Sequence, residues 1–161
     1  MAITDLSLAR AWVRTTLLGI TVANGYGVEI KTSDGQLDEN QHKTPAALLP
    51  RAWVYVGDGE GPTLQPITHG KGTATLPLTI DILFNAALKK SDGSGKHGHD
   101  ACDTWVAAVA KALRIAQTDP AYTSPWRATV VGAAGYFYST GALTGVRIPV
   151  TIECWYTRSE G

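Results

Sequence analysis

The chain is short of cysteine, of surplus charge and of long apolar runs, and each shortage closes off a class of protein. Two Cys in 161 residues are too few for a disulfide scaffold, and a chain of this length buries enough core to do without one. Cys102 falls on a predicted helix and Cys154 on the apolar side of a predicted strand, so both read as small buried hydrophobes rather than as a bridge. The 14 Lys plus Arg balance 14 Asp plus Glu, giving formal net charge zero. No basic run stands out, so binding that depends on neutralising phosphates has no footprint, and no sequence-specific nucleic-acid contact is expected. Zero net charge also does little to hold copies apart, which suits a subunit that assembles. No apolar run reaches transmembrane length, and residues 1–14 lack a basic stretch followed by a long apolar one. The expectation is a soluble protein made in the cytoplasm, with no membrane partner.

Catalytic and metal signatures are equally scarce. Neither Gly-x-Ser-x-Gly nor His-Glu-x-x-His occurs, and His42, His69, His97 and His99 all fall in predicted loops. The run His97-Gly98-His99-Asp100-Ala101-Cys102 carries ligand types for zinc or nickel but has no second paired set elsewhere. Helix capping by Asp100 and core packing by Cys102 explain two of its members. Gly57-Asp58-Gly59-Glu60-Gly61 resembles a phosphate loop only in composition, since Walker spacing fails and its two acids would repel phosphate. Asp81 and Glu153 are expected on outward strand faces, where they read either as a facing carboxylate pair or as ordinary exposed acids. No catalytic residue, cofactor or metal site is assigned.

What is present is pattern. Hydrophobic residues make up 44% of the chain, with 5 Trp and 6 Tyr, so a folded single domain over 1–161 is expected. Residues 73–84 and 146–156 alternate strictly. Ala74, Leu76, Leu78, Ile80, Ile82 and Phe84 share one parity, as do Val146, Ile148, Val150, Ile152, Cys154 and Tyr156, so each segment is a strand with one buried face. The other parity reads Thr73, Thr75, Pro77, Thr79, Asp81 and Arg147, Pro149, Thr151, Glu153, Trp155. Proline donates nothing to a ladder, which places Pro77 and Pro149 at an edge or a bulge. The likeness of residues 77–82 to 149–154 is short enough to be coincidence.

Ile3, Leu6, Arg10, Val13 and Leu17 predict a helix over 4–18 ended by Gly19, and Tyr26, Val28 and Ile30 predict a strand after the Asn24-Gly25 turn. Residues 52–56 predict a second strand. A helix over 100–118 presents Cys102, Trp105, Val106, Val109, Leu113 and Ala116 on one stripe, opposite Lys111 and Arg114. Residues 127–138 predict a strand covered on both faces, with Gly132 and Gly135 marking a bulge or a close approach. Residues 32–50 and 85–99 read as mobile loops. The sum is an α+β domain, a mostly antiparallel sheet of about five strands with two main helices packed on one face. Trp12 and Trp155 lie on predicted outer faces, as do Asp81, Arg147, Glu153 and, nearby, Arg158. These six form the candidate contact surface.

The opening helix leading into Val22-Ala-Asn-Gly-Tyr, the strand Ala52-Trp-Val-Tyr-Val-Gly-Asp-Gly-Glu, the strand ending Leu78-Thr-Ile-Asp-Ile, the helix over 100–118 and the closing Ile148-Pro-Val-Thr-Ile-Glu-Cys-Trp-Tyr together resemble the tail terminator, or tail completion, proteins of tailed bacteriophages, the family of lambda's minor tail protein U. That resemblance spans nearly the whole chain. It implies a virion neck protein that forms a hexameric ring of identical copies, caps the tail tube, stops its polymerisation and meets the head-tail connector. DNA would pass through its lumen, and the two long loops would act as arms that order on assembly. A head-tail connector or stopper, or a tail-tube subunit, is the neighbouring alternative. From another class, a small metal-binding protein or enzyme using the loop histidines is the rival.

Overall fold

Period-two alternation in two long segments dictates the frame. In the computed structural model, which describes residues 7–34, 46–56, 61–68, 71–85, 97–118, 126–130, 135–140 and 143–157, the order is α1 (Ser7–Leu18), β1 (Thr32–Asp34), a 3-10 turn (Ala46–Leu48), β2 (Arg51–Tyr55), β3 (Thr63–Thr68), β4 (Lys71–Asn85), α2 (His97–Thr118), β5 (Trp126–Val130), β6 (Gly135–Thr140) and β7 (Leu143–Thr157). The two alternating segments are β4 and β7, and they are each other's partner, antiparallel from Lys71↔Thr157 to Asn85↔Leu143. Around this ribbon the sheet runs β1-β2-β4-β7-β5, with β3 also on β4 and β6 also on β7. Among the described residues only β1 and β2 pair in parallel. The fold is α+β, as the sequence pattern predicts.

The apolar parity of the ribbon, from Ala74 to Phe84 and from Val146 to Cys154, forms one buried cluster with Ala52 and Val54 of β2. The same cluster holds Ala9, Val13 and Leu17 of α1 and Cys102, Trp105, Val109 and Leu113 of α2. Burying Leu76, Leu78, Ile80, Ile82 and Phe84 contributes about 8–15 kcal/mol gross, at roughly 1.5–3 kcal/mol each. Phe84 and Trp105 meet with ring centroids 5.8 Å apart. Lys111 and Arg114 lie exposed on the far side of α2. Both cysteines are buried, and no disulfide joins them.

Several expectations are corrected. Residues 26–30 form no strand: the amides of Tyr26 and Ile30 donate to the carbonyls of Thr21 and Ile20. The alternation there reflects packing of Ile30 into the core without a ladder partner. The region expected as a loop over 32–50 contains β1, while 35–45 lie outside the described residues. Strand β3 was not foreseen, because its two prolines, Pro62 before it and Pro66 within it, mask the strand pattern. Helix α2 begins at His97, so His97 and His99 are in its first turn rather than in a loop. Residues 86–96 are outside the described set. The single strand over 127–138 is two strands in line, β5 and β6. From Val130↔Val150 to Gly135↔Arg147 the outer line advances five residues while β7 advances three. Gly132, expected to mark a bulge or a close approach, lies outside the described residues, and Gly135 opens β6.

Pro77 and Pro149 are not on edge strands but in the two central ones. Strands β2 and β3 pair with residues 79–83 and 71–75 of β4, leaving 76–78 without a neighbour on that side among the described residues. On the other flank β5 and β6 pair with 150–154 and 143–147 of β7, leaving 148–149 likewise without a described neighbour. Each proline thus sits in the gap where its outer neighbour breaks, the one place in a central strand where a missing N–H costs no ladder bond. The pair Leu78↔Val150 is the centre of a local two-fold that relates the similar segments 77–82 and 149–154.

Candidate functional site

The outward face is not uniformly wet. In β2 the parity opposite Ala52 and Val54 carries Arg51, Trp53 and Tyr55, and the register sets Asp34, Trp53, Asp81 and Arg147 in one row across β1, β2, β4 and β7. Trp53 and Leu83 are fully buried there and pack with Leu49, flanked by Tyr55 and Leu143. Asp81, expected as an exposed acid, has 0% relative exposure. The pattern on β4 assigns Asp81 to the polar face, but the neighbouring β2 lays a tryptophan beside it, which local alternation does not encode.

The Asp81 carboxylate is fully engaged. Arg147 donates from Nε to Oδ1 and from Nη2 to Oδ2, each at 2.9 Å, and the Tyr55 hydroxyl donates to Oδ2 at 2.8 Å. This is a bidentate, charge-assisted pair with a third donor, the geometry in which a buried carboxylate is best compensated. The contact to Asp81 raises the Arg147 guanidinium further above its usual value. Burial, reinforced by the hydrogen bond to Asp81, pushes the Tyr55 phenol above its ordinary range. A phenol held protonated is a poor proton carrier at neutral pH. The arrangement acts as a clamp on β2, β4 and β7. A second pair extends the row: Arg51 Nε donates to Asp34 Oδ2 at 2.6 Å, and its guanidinium stacks 4.9 Å from the Trp53 ring centroid. Such stacking suits the planar, weakly hydrated guanidinium.

Of the six candidate contact residues, the structure brings Asp81 and Arg147 into contact. Glu153 is exposed and opposite Thr75 on one side and Arg127 on the other, so it does not face Asp81 as a carboxylate pair. Trp12 is half-buried against the main core. It lines a groove of about 420 Å³ with Thr15, Gly19, Tyr26, Ala112 and Ile115. Trp155 is placed by register opposite Thr73, its side chain outside the described residues, as is the whole of Arg158. Tyr55, Trp53, Arg51 and Asp34 are absent from the sequence expectation; the alternation Arg-Ala-Trp-Val-Tyr is the sequence signal for the first three, and Asp34 has none.

Around the histidine run, Cys102 is turned into the core and Asp100 and Asp103 are exposed. Among the described residues no three His, Cys, Asp or Glu side chains converge on a metal-sized site. No described helix is long and apolar enough to cross a membrane.

No protein-family model matches this chain, and no curated protein matches it.

Proposed function

We propose that this chain is a structural subunit of a tailed-bacteriophage virion, a tail terminator that closes as a hexameric ring on the tail tube, stops its growth and joins it to the head-side connector. The observation that carries the reading is the outer side of α1. Leu8 and Leu18 lie on the side away from Ala9, Val13 and Leu17 and are 50% and 47% exposed. Val22, just beyond the helix, is 62% exposed, and Ile115 of α2, beside the Trp12 groove, is 46% exposed. Large apolar side chains left in water beyond a satisfied core favour burial by a partner, at about 1.5–3 kcal/mol for each one fully covered. Zero net charge removes the long-range repulsion that would oppose self-association. The clamp at Asp81 supports the reading in another way, since a rigid sheet is what a ring wall requires. A lumen without strong phosphate contacts also lets DNA pass without being held.

The test is genetic and visual. Phage lacking this chain should assemble tails of uncontrolled length that fail to join heads; tails of normal length attached to heads would refute the assignment. With purified protein, Leu18→Asp and Val22→Asp should leave thermal stability within about 0.5 kcal/mol of the parent and abolish rings in electron micrographs. Rings formed as readily by both variants would remove α1 from the contact.

A further inference from the structure

At the end of the ribbon formed by Lys71 and Thr157, the sheet is four strands wide among the described residues. Two rows cross it from edge to edge, Thr63–Thr75–Glu153–Arg127 and Leu64–Ala74–Cys154–Trp126. Strand β3 pairs only with β4 and β5 only with β7 among the described residues, so no described strand takes up the outer line of backbone groups of either. Thr63, Leu64 and Gln65 are all exposed. Leu64 is 43% exposed although its register partner Ala74 is fully buried. Thus β3 carries the core parity out past the shelter of the helices. An exposed edge with an apolar residue and no charged one among Thr63, Leu64 and Gln65 is a template for another strand.

The strand directions decide which strand fits. Each of β3–β4, β4–β7 and β7–β5 is antiparallel, so β3 and β5 run in opposite directions at the two edges of the same rows. Copies related by rotation about a ring axis keep their chain direction along that axis. The β5 edge of one copy therefore meets the β3 edge of the next antiparallel and at the same level, a heterologous contact of the kind that closes. We infer that a second copy of this chain docks its β5 edge on the β3 edge, continuing the sheet from subunit to subunit. This rests on the ring reading above and names the junction within it. Pro62 and Pro66 bracket the edge, and the register shifts between Pro66 and Thr68. An incoming strand thus finds a stretch uninterrupted by proline only along Thr63, Leu64 and Gln65, where alternate residues turn their N–H and C=O outward. A junction so short is weak alone, and closing the ring makes the last contacts intramolecular.

Covalent trapping tests this on the full chain. Thr63→Cys with Arg127→Cys, and Gln65→Cys with Arg127→Cys, place new thiols at exposed positions of the two edges, while the native Cys102 and Cys154 are buried. Treated with a short bis-maleimide at high protein concentration, each pair should give a ladder of dimers, trimers and larger species. Each single variant should stay at the background of a Glu29→Cys/Asp103→Cys control, both exposed positions on other surfaces. Dimers from Thr63→Cys alone would mean β3 meets β3 and would overturn the inference, as would ladders no stronger than the control. Micrographs separate this from the ring reading. Rings without a 63–127 or 65–127 cross-link remove the junction and leave the ring. A cross-linked open fibre keeps the junction and removes the ring.

Discussion

Replacing Arg147 by Met tests the clamp most sharply, because the two ends of the ion pair differ so much in exposure. The Arg147 side chain is 47% exposed, whereas that of Asp81 is 0%. Arg147→Met keeps the aliphatic stem but strands a buried carboxylate with the Tyr55 hydroxyl as its remaining donor. Breaking a buried pair in this direction costs about 3–5 kcal/mol. Asp81→Leu leaves instead a half-exposed guanidinium that water re-solvates, so its cost is the lost charge-assisted hydrogen bonding, about 1.5–3 kcal/mol. The double variant Asp81→Leu/Arg147→Met removes both charges and is expected within about 1–2 kcal/mol of the parent, since an apolar replacement of a buried pair is often neutral. The cycle should therefore show coupling of about 2–3 kcal/mol or more. Urea unfolding at constant m-value reads these differences. In a thermal scan Arg147→Met should lower Tm by about 6–20 °C, at roughly 2–4 °C per kcal/mol for a domain of this size. An additive cycle, or Arg147→Met within about 0.5 kcal/mol of the parent, would refute the claim that this contact joins β4 to β7.

Two further expectations follow from the same face and from the core. Leu78→Asp puts a carboxylate at a position 2% exposed and should leave no cooperative unfolding transition, whereas Glu153→Gln on the exposed parity should shift stability by no more than about 0.5 kcal/mol. The raised Tyr55 pKa, caused first by burial and then by the bond to Asp81, means the native state holds this proton after the unfolded chain has released it. Its stabilisation is complete below about pH 10 and declines as pH rises beyond, by at most ~1.4 kcal/mol per pH unit and less for a half-buried ring. Alkaline denaturation should show this slope, and Tyr55→Phe should flatten it; an unchanged slope in that variant would place the proton elsewhere.

Legibility in the sequence followed the range of the interaction. The alternation in residues 73–84 and 146–156 assigned the buried faces of β4 and β7, because side-chain direction in a strand depends only on parity. The 3.6-residue stripe of α2 did the same for Cys102, Trp105, Val109 and Leu113. Those readings survive because they need no knowledge of neighbours. Asp81 went wrong for the complementary reason: polarity and parity put it outside, and only β2, 26 positions upstream at Tyr55, encloses it. Residues 26–30 had the right period and no strand to pair with, while β3 had a partner and, with two prolines, no visible period.

By itself, then, the sequence determined which side of each long strand is dry, where the helices present apolar stripes, and that both cysteines pack as hydrophobes. Tertiary structure alone decided who stands beside whom: Arg147 reaching Asp81 across 66 positions, Trp53 closing over the same row, and Pro77 and Pro149 falling in the two gaps of the outer strands. It also decided that β3 and β5 run in opposite directions at one level. Parity is a property of one chain segment, whereas register and adjacency arise only when distant segments meet, and the energies that select them, burial of a shared face and pairing of a buried charge, do not exist until they do.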